Sequence, residues 1–221
     1  MGKSMYSIIL SDEVVDATDK AAYKSGTSRS GLIDRILAEY LSCPIPEMRI
    51  EDTFSRMEKM LSGLDTFHLK YRPHCSVFAV QSALRYRYKP TIRYTLELYK
   101  HFDNSIGELR VSLRTQNQAL IYTLTDFFNI WDEIENKFIG HKFSEGRVPC
   151  FMADGKYIRK LSIPEKKENR TNEKIADAIS SYICEFDSIL KLYFGSGEDS
   201  EETVGMLETQ YRNDIARLII I

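Results

Sequence analysis

Hydrophobic and polar positions change period along this chain, and the changes mark out its elements. From Ser4 to Leu10 they alternate, the period of a strand with one covered face. At Ser11 the period turns helical. Val14, Val15, Ala17, Thr18, Ala21 and Ala22 form an apolar stripe, Ser11 can cap the start, and Gly26 stops the helix near Ser25. A second helix starts at Thr27-Ser28-Arg29-Ser30 with Ser28 as cap. It carries Leu32, Ile33, Ile36, Leu37, Tyr40 and Leu41, and Pro44 and Pro46 end it. The lone strand has no mate within this stretch, and unpaired backbone groups are costly when buried. Two short helices also have too little core to fold alone. The pattern therefore predicts an intertwined homodimer, with the strand pairing to its copy in a second chain.

The remainder reads differently. Residues 44–49, with Pro44-Ile45-Pro46, look like a linker, and 50–62 fit a helix with Ile50, Phe54, Met57 and Leu61 on one side. "SVFAVQSALRYRYKPTIRYTLELY" and "GELRVSLRT" are rich in β-branched and aromatic residues. Alternation puts Leu84, Tyr86, Tyr88, Ile92, Tyr94, Leu96, Leu98, Leu109, Val111 and Leu113 on one side of a sheet. Arg85, Arg87, Lys89, Arg93, Arg110 and Arg114 fall on the other. A long helix over about 116–139 carries Leu120, Leu124, Phe127, Phe128, Trp131 and Ile134 and is expected to cover the apolar face, with Asp126, Asp132, Glu133 and Glu135 on its polar side. Asp154-Gly155 marks a hairpin turn. Ile175 to Phe194 marks a second long helix, and Ser200 caps a last one. The apolar tail Leu218 to Ile221 is expected to be packed. The fold class is α+β: an N-terminal unit over 1–43, a linker over 44–49, and a C-terminal domain of antiparallel sheet and long helices over 50–221.

Composition adds limits. At 221 residues, 43% hydrophobic and 28% charged, the chain suits a soluble protein with a real core, without a membrane span or signal peptide. Its four scattered cysteines fit reduced thiols and a cytoplasmic setting. The net charge of −2 hides a polarity: residues 66–115 carry nine Lys/Arg against three Asp/Glu, whereas the first 45 carry five against six.

The order and spacing in "MYSIILSDEVVDATDKAAYKSGTSRSGLIDRILAEYL" resemble the ribbon-helix-helix superfamily, which includes the MetJ, Arc and CopG repressors. The likeness covers residues 4–42. It implies an antiparallel two-stranded ribbon lying in the major groove of double-stranded DNA. Carried over, Tyr6, Ile8 and Leu10 face the dimer core, and Lys3, Met5, Ser7 and Ile9 face the bases. Ser28, Arg29 and Ser30 sit where the helix N-terminus offers backbone N–H groups to phosphate. The implied function is a DNA-binding, nucleoid-associated transcriptional regulator of the repressor type, and the C-terminal domain would serve sensing or assembly. Two other classes stay open. One is a non-enzymatic assembly protein using the unit only to dimerise, which the slightly acidic charge and the apolar Met5 and Ile9 favour. The other is an antitoxin.

The basic sheet side has three readings: a solvated face paired to acidic residues of later helices, a nucleic-acid contact, or a site for an anionic small-molecule effector or acidic partner. There is no phosphate-binding glycine loop, no dinucleotide fingerprint, no zinc-protease motif and no nucleophile elbow, so no enzyme and no cofactor are expected. His68, His74 and Cys75 lie close together but lack a full ligand set, and no metal is expected.

Overall fold

The computed structural model describes all residues except 1–4, 6, 71–75, 85–89, 103, 154 and 197–200. The chain divides into two compact units, 1–49 and 50–221.

In the first unit, residues 7–10 adopt neither helix nor strand. Among the described residues, 7–10 find no strand partner in their own unit, and without one an extended segment cannot close a ladder. Helix α1 (Asp12–Lys24) follows, with Asp12 and Glu13 in its first turn and Lys24 in its last, both favourable to the helix dipole. Gly26 ends it at φ 61°, a left-handed conformation that lets the Thr27 N–H reach the Ala22 carbonyl at 3.0 Å. Helix α2 (Arg29–Tyr40) closes in the same way, except that Ser42 takes the left-handed position at φ 52° and the Cys43 N–H reaches the Ala38 carbonyl at 2.8 Å. The helix therefore stops ahead of the two prolines. Helix α3 (Pro46–Ser62) then begins at Pro46, so the linker expected over 44–49 is helical through most of its length. Proline suits the first turn because its fixed φ is helical and its missing N–H would have had no partner.

The second unit is a two-layer α+β structure. Its strands are β1 (Phe67–Leu69), β2 (Val77–Ala83), β3 (Thr91–Leu98), β4 (Ser105–Leu113), β5 (Cys150–Ala153) and β6 (Lys156–Ser162). They form one antiparallel sheet in the order β1-β2-β3-β4-β6-β5. Strands β5 and β6 join through Gly155 at φ 68°, a conformation that favours glycine. The register of β4 shifts between Ser105 and Gly107. A Cβ at Gly107 would stand 2.3 Å from the Glu97 carbonyl oxygen, so only glycine fits there. Helices α4 (Gln118–Ile139), α5 (Asn172–Ser196) and α6 (Glu201–Ile215), together with α3, share one apolar core with a single sheet face. Ile92, Tyr94, Leu96, Leu98, Leu109 and Val111 lie in that core, as their alternation requires. Ile219 and Ile221 of the apolar tail pack against the same cluster.

Two expectations fail here. The outer sheet face is mixed in charge, because the same alternation that exposes Arg93 and Arg110 also brings Glu97 opposite Glu108 beside them. Arg114 lies beyond the end of β4 and is not part of the ladder. Arg85, Arg87 and Lys89 fall outside the described residues, as do Tyr86, Tyr88, Asp154 and Ser200. The polar side of α4 is also not all solvated. Asp126 and Glu133 are exposed, whereas Asp132 and Glu135 are buried.

Candidate nucleic-acid interface

The first unit buries little of what its pattern marks as apolar. Ala22 and Ala38 are covered, while Ile8 is 54% exposed, Tyr40 85%, and Leu10, Val14, Ile36, Leu37 and Leu41 are also open. Met5 and Ile9 project fully into solvent and Ser7 is exposed. Lys3 and Tyr6 lie outside the described residues.

The start of α2 is built from its own hydroxyls. Ser28 is the N-cap in extended backbone, and its Oγ accepts from the Gly31 N–H at 3.1 Å. The Ser28 and Ser30 hydroxyls lie 3.2 Å apart. That bond leaves the other first-turn N–H groups as the anion-attracting end of the helix. Gly31 is a contributor that pattern reading passed over. A Cβ there would stand 2.9 Å from Thr27 Oγ1 and 3.1 Å from Ser28 Oγ, so glycine is what allows the cap to close. Arg29 makes a two-pronged ion pair with Asp19 of α1. Both side chains are about half exposed, where such pairs contribute little and exchange readily. Ser28, Arg29 and Ser30 are thus gathered at one helix terminus.

On the sheet, Arg110 pairs with Glu108 at 2.6 Å and with Glu97 at 3.4 Å, so its charge is met by neighbours within the face. Arg93 is exposed opposite Ser112. Among the described residues, cations also gather elsewhere. A cleft of about 840 Å³ is lined by Lys142, Arg147, Lys160 and Lys166 against Glu145 and Glu165. Arg147 donates to Asp132 at 2.6 Å. Cys150 donates to the same carboxylate at 2.8 Å, and burial, then Asp132, pushes its thiol up to about 12, so it is not a nucleophile at neutral pH.

Glu135 is fully buried and is a hub that pattern reading passes over. Its Oε2 accepts from Tyr157 at 2.7 Å, Trp131 Nε1 at 2.9 Å and Tyr182 at 3.0 Å. Its other oxygen lies 3.3 Å from Arg159 Nη2, and that guanidinium stacks over the Tyr182 ring at 4.4 Å. Burial pulls the Arg159 cation down, but Glu135 together with the surrounding Tyr182, Tyr157 and Tyr211 outweighs it and holds it charged. Burial, then Glu135, keeps the Tyr157 and Tyr182 hydroxyls protonated as donors. The hub's donors and its counter-charge are supplied from inside the core, which makes it structural.

His68 is exposed on β1, and His74 and Cys75 lie outside the described residues. Among the described residues, no group of three or more His, Cys, Asp or Glu side chains is placed to hold a metal, and no helix is long and apolar enough to cross a membrane. No protein-family model, curated protein or solved structure matches the chain.

Proposed function

We propose that this protein is a DNA-binding transcriptional regulator of the repressor type, working as a homodimer. Two copies pair through residues 1–43 as a ribbon-helix-helix unit. The extended segment of each copy becomes one strand of an antiparallel ribbon in the major groove of double-stranded DNA. The observation that carries the reading is the set of exposed apolar side chains at Ile8, Leu10, Val14, Ile36, Leu37, Tyr40 and Leu41, beside an extended segment with no pairing partner among the described residues. A surface of that kind marks an interaction site. A second copy supplies a strand for the strand and cover for the helices at once.

In the dimer, Ile8 and Leu10 turn inward, and Lys3, Met5, Ser7 and Ile9 face the bases. Ile9 suits a thymine methyl, and Ser7 suits either partner of a base pair. Ser28, Arg29 and Ser30, with the α2 N-terminus, anchor phosphate. The C-terminal unit serves as the sensor, and its cleft lined by Lys142, Lys160 and Lys166 is the place for an anionic effector. A second reading, in which the unit only dimerises and the protein works in assembly, draws on the exposed, apolar Met5 and Ile9, which offer no hydrogen bonds to base edges.

The test is enrichment of DNA from a random duplex pool by the full chain. The regulator reading expects an enriched motif. Arg29→Glu should weaken binding to every sequence and flatten its salt dependence, whereas Ser7→Ala should change which sequences are enriched. No enrichment above background would favour the assembly reading.

A further inference from the structure

We propose that the cleft of about 840 Å³ in the C-terminal unit binds an organic carboxylate, its charge met by Lys142, Lys160 and Lys166 and its carbon body by Phe143, Ile163 and the tail from Leu218 to Ile220. The assignment deepens the sensor role proposed above and rests on it for the consequence of binding. Three segments wall the cleft: the loop after α4, the end of β6 with the residues just beyond it, and the C-terminal tail. A cleft of that size falls within the range of small-molecule sites.

Each wall is held in place by bonds of its own. The loop is pinned to α4, where Arg147 donates to Asp132 at 2.6 Å and the Val148 N–H donates to Asn136 Oδ1 at 2.8 Å. The Gly146 N–H closes it on the Phe143 carbonyl at 2.9 Å. On β6 the Lys160 N–H donates to the Pro149 carbonyl at 2.9 Å, which sets the start of Lys160 beside that loop. Beyond β6 the chain curls around Arg170, whose Nε and Nη2 donate to the Pro164 and Glu165 carbonyls at 2.8 Å and 3.2 Å. In the tail the Leu218 N–H reaches the Ile215 carbonyl at 3.2 Å, and Ile219 packs against the core cluster. Walls fixed in advance spare a ligand the cost of ordering them.

The groups offered to a ligand are open to it. Lys142, Lys160 and Lys166 are exposed, and among the described residues no ion pair engages them. Phe143, Ile163 and residues 218–220 each keep part of their surface accessible. The alternation of β6 explains Lys160: Tyr157, Arg159 and Leu161 turn to the core, so Lys160 turns away from it.

Charge and apolar lining together select the ligand class. The cleft holds the cations Lys142, Arg147, Lys160 and Lys166 against Glu145 and Glu165, and Asp132 already answers Arg147. One positive charge is left over, which a monoanion balances. A cation would add to the surplus, and a phosphate monoester, at close to two negative charges, would exceed it. A bare inorganic anion would leave the apolar wall unused. A carboxylate on a carbon body satisfies both, because lysine ammonium groups donate to its oxygens while the chain covers Phe143, Ile163 and the tail.

The experiment is calorimetric titration of the full chain with octanoate, beside acetate, 1-octanol and octyl phosphate. The proposal expects saturable octanoate binding, with each of the other three at least tenfold weaker. Lys142→Glu and Lys166→Glu should each weaken octanoate at least fivefold. Arg93→Glu makes the same charge change on the open sheet face, away from the cleft lining, and should leave affinity within twofold. No saturation by octanoate, equal binding of 1-octanol or acetate, tighter binding of octyl phosphate, or an equal loss in Arg93→Glu would each overturn the proposal. The four probes on the unmodified chain decide the matter even if a variant fails to fold. Binding is read without DNA, so a failed titration beside an intact DNA enrichment removes the ligand and leaves the regulator standing. Octanoate binding by a chain that enriches no DNA removes the regulator and leaves the ligand.

Discussion

Replacing Glu135 with alanine should be among the most damaging single changes in the C-terminal unit. The carboxylate is wholly buried and sits opposite a guanidinium at 1% exposure. Removing it strands the Arg159 cation in the core, and breaking a buried pair from one side costs roughly 3–5 kcal/mol. The loss of the acceptor for Trp131, Tyr157 and Tyr182 falls within that range rather than adding to it, because the four contacts act as one network. For a unit of this size each kcal/mol moves Tm by roughly 2–4 °C, so a loss of ~4 kcal/mol predicts a drop of roughly 8–16 °C. Trp131 is the only tryptophan and belongs to the network, so its fluorescence reports unfolding directly in urea or on heating. The second arm is the double variant Glu135→Leu with Arg159→Met. It removes both charges and should recover at least half of the loss, since apolar replacement of a buried pair is often neutral or better. A fall of under 3 °C for Glu135→Ala, or a double variant no more stable than the single one, would refute the reasoning.

Gly107→Ala should lower the unfolding free energy by about 1–3 kcal/mol, read as a lower urea midpoint, because its Cβ would meet the Glu97 carbonyl and must push β3 from β4; an unchanged midpoint would contradict the tight approach. Arg110→Ala should change stability by less than about 1 kcal/mol, because Arg110 itself and Glu97 are about half exposed; a Tm loss above 5 °C would show a stronger role for its contact with the more covered Glu108. Glu185 carries a folded value raised from 4.5 to about 8, so between those limits the folded state binds more protons than the unfolded one. Its contribution to stability is therefore full below about pH 4.5 and lost as pH rises through about 8, and Glu185→Gln should flatten that part of the curve of Tm against pH.

Much of the architecture was readable because burial follows period. Ile92 to Leu98 alternates into the core, Phe127 to Ile134 presents a stripe to the sheet, and both were placed from spacing alone. What resisted reading depends on contacts distant in sequence. Glu135 looks like any acidic residue on the polar side of α4. Only folding reveals that Tyr157, Tyr182 and Arg159 close around it from β6 and α5. The same holds for Glu185, whose carboxyl is pushed up by burial and then by Asp214 of the next helix. The basic face was misjudged because counting arginines along β3 and β4 passes over Glu97 and Glu108 at the same parity. Strand β1 escaped because three residues carry too little pattern. In the N-terminal unit, residue types suggest a surface for a second chain to cover, and Ile8, Ile36 and Tyr40 are exposed.

The central claim is that the N-terminal apolar surface is the contact between two copies. Its most direct test is the solution mass of the full chain at micromolar concentration, measured by light scattering beside the Ile8→Asp variant. The account predicts a particle of twice the 25.6 kDa chain mass for the unmodified protein. It predicts the single-chain mass for Ile8→Asp, because an aspartate at that position would bury a charge without a partner. A monomer in both samples, or an unaltered dimer in the variant, would contradict it.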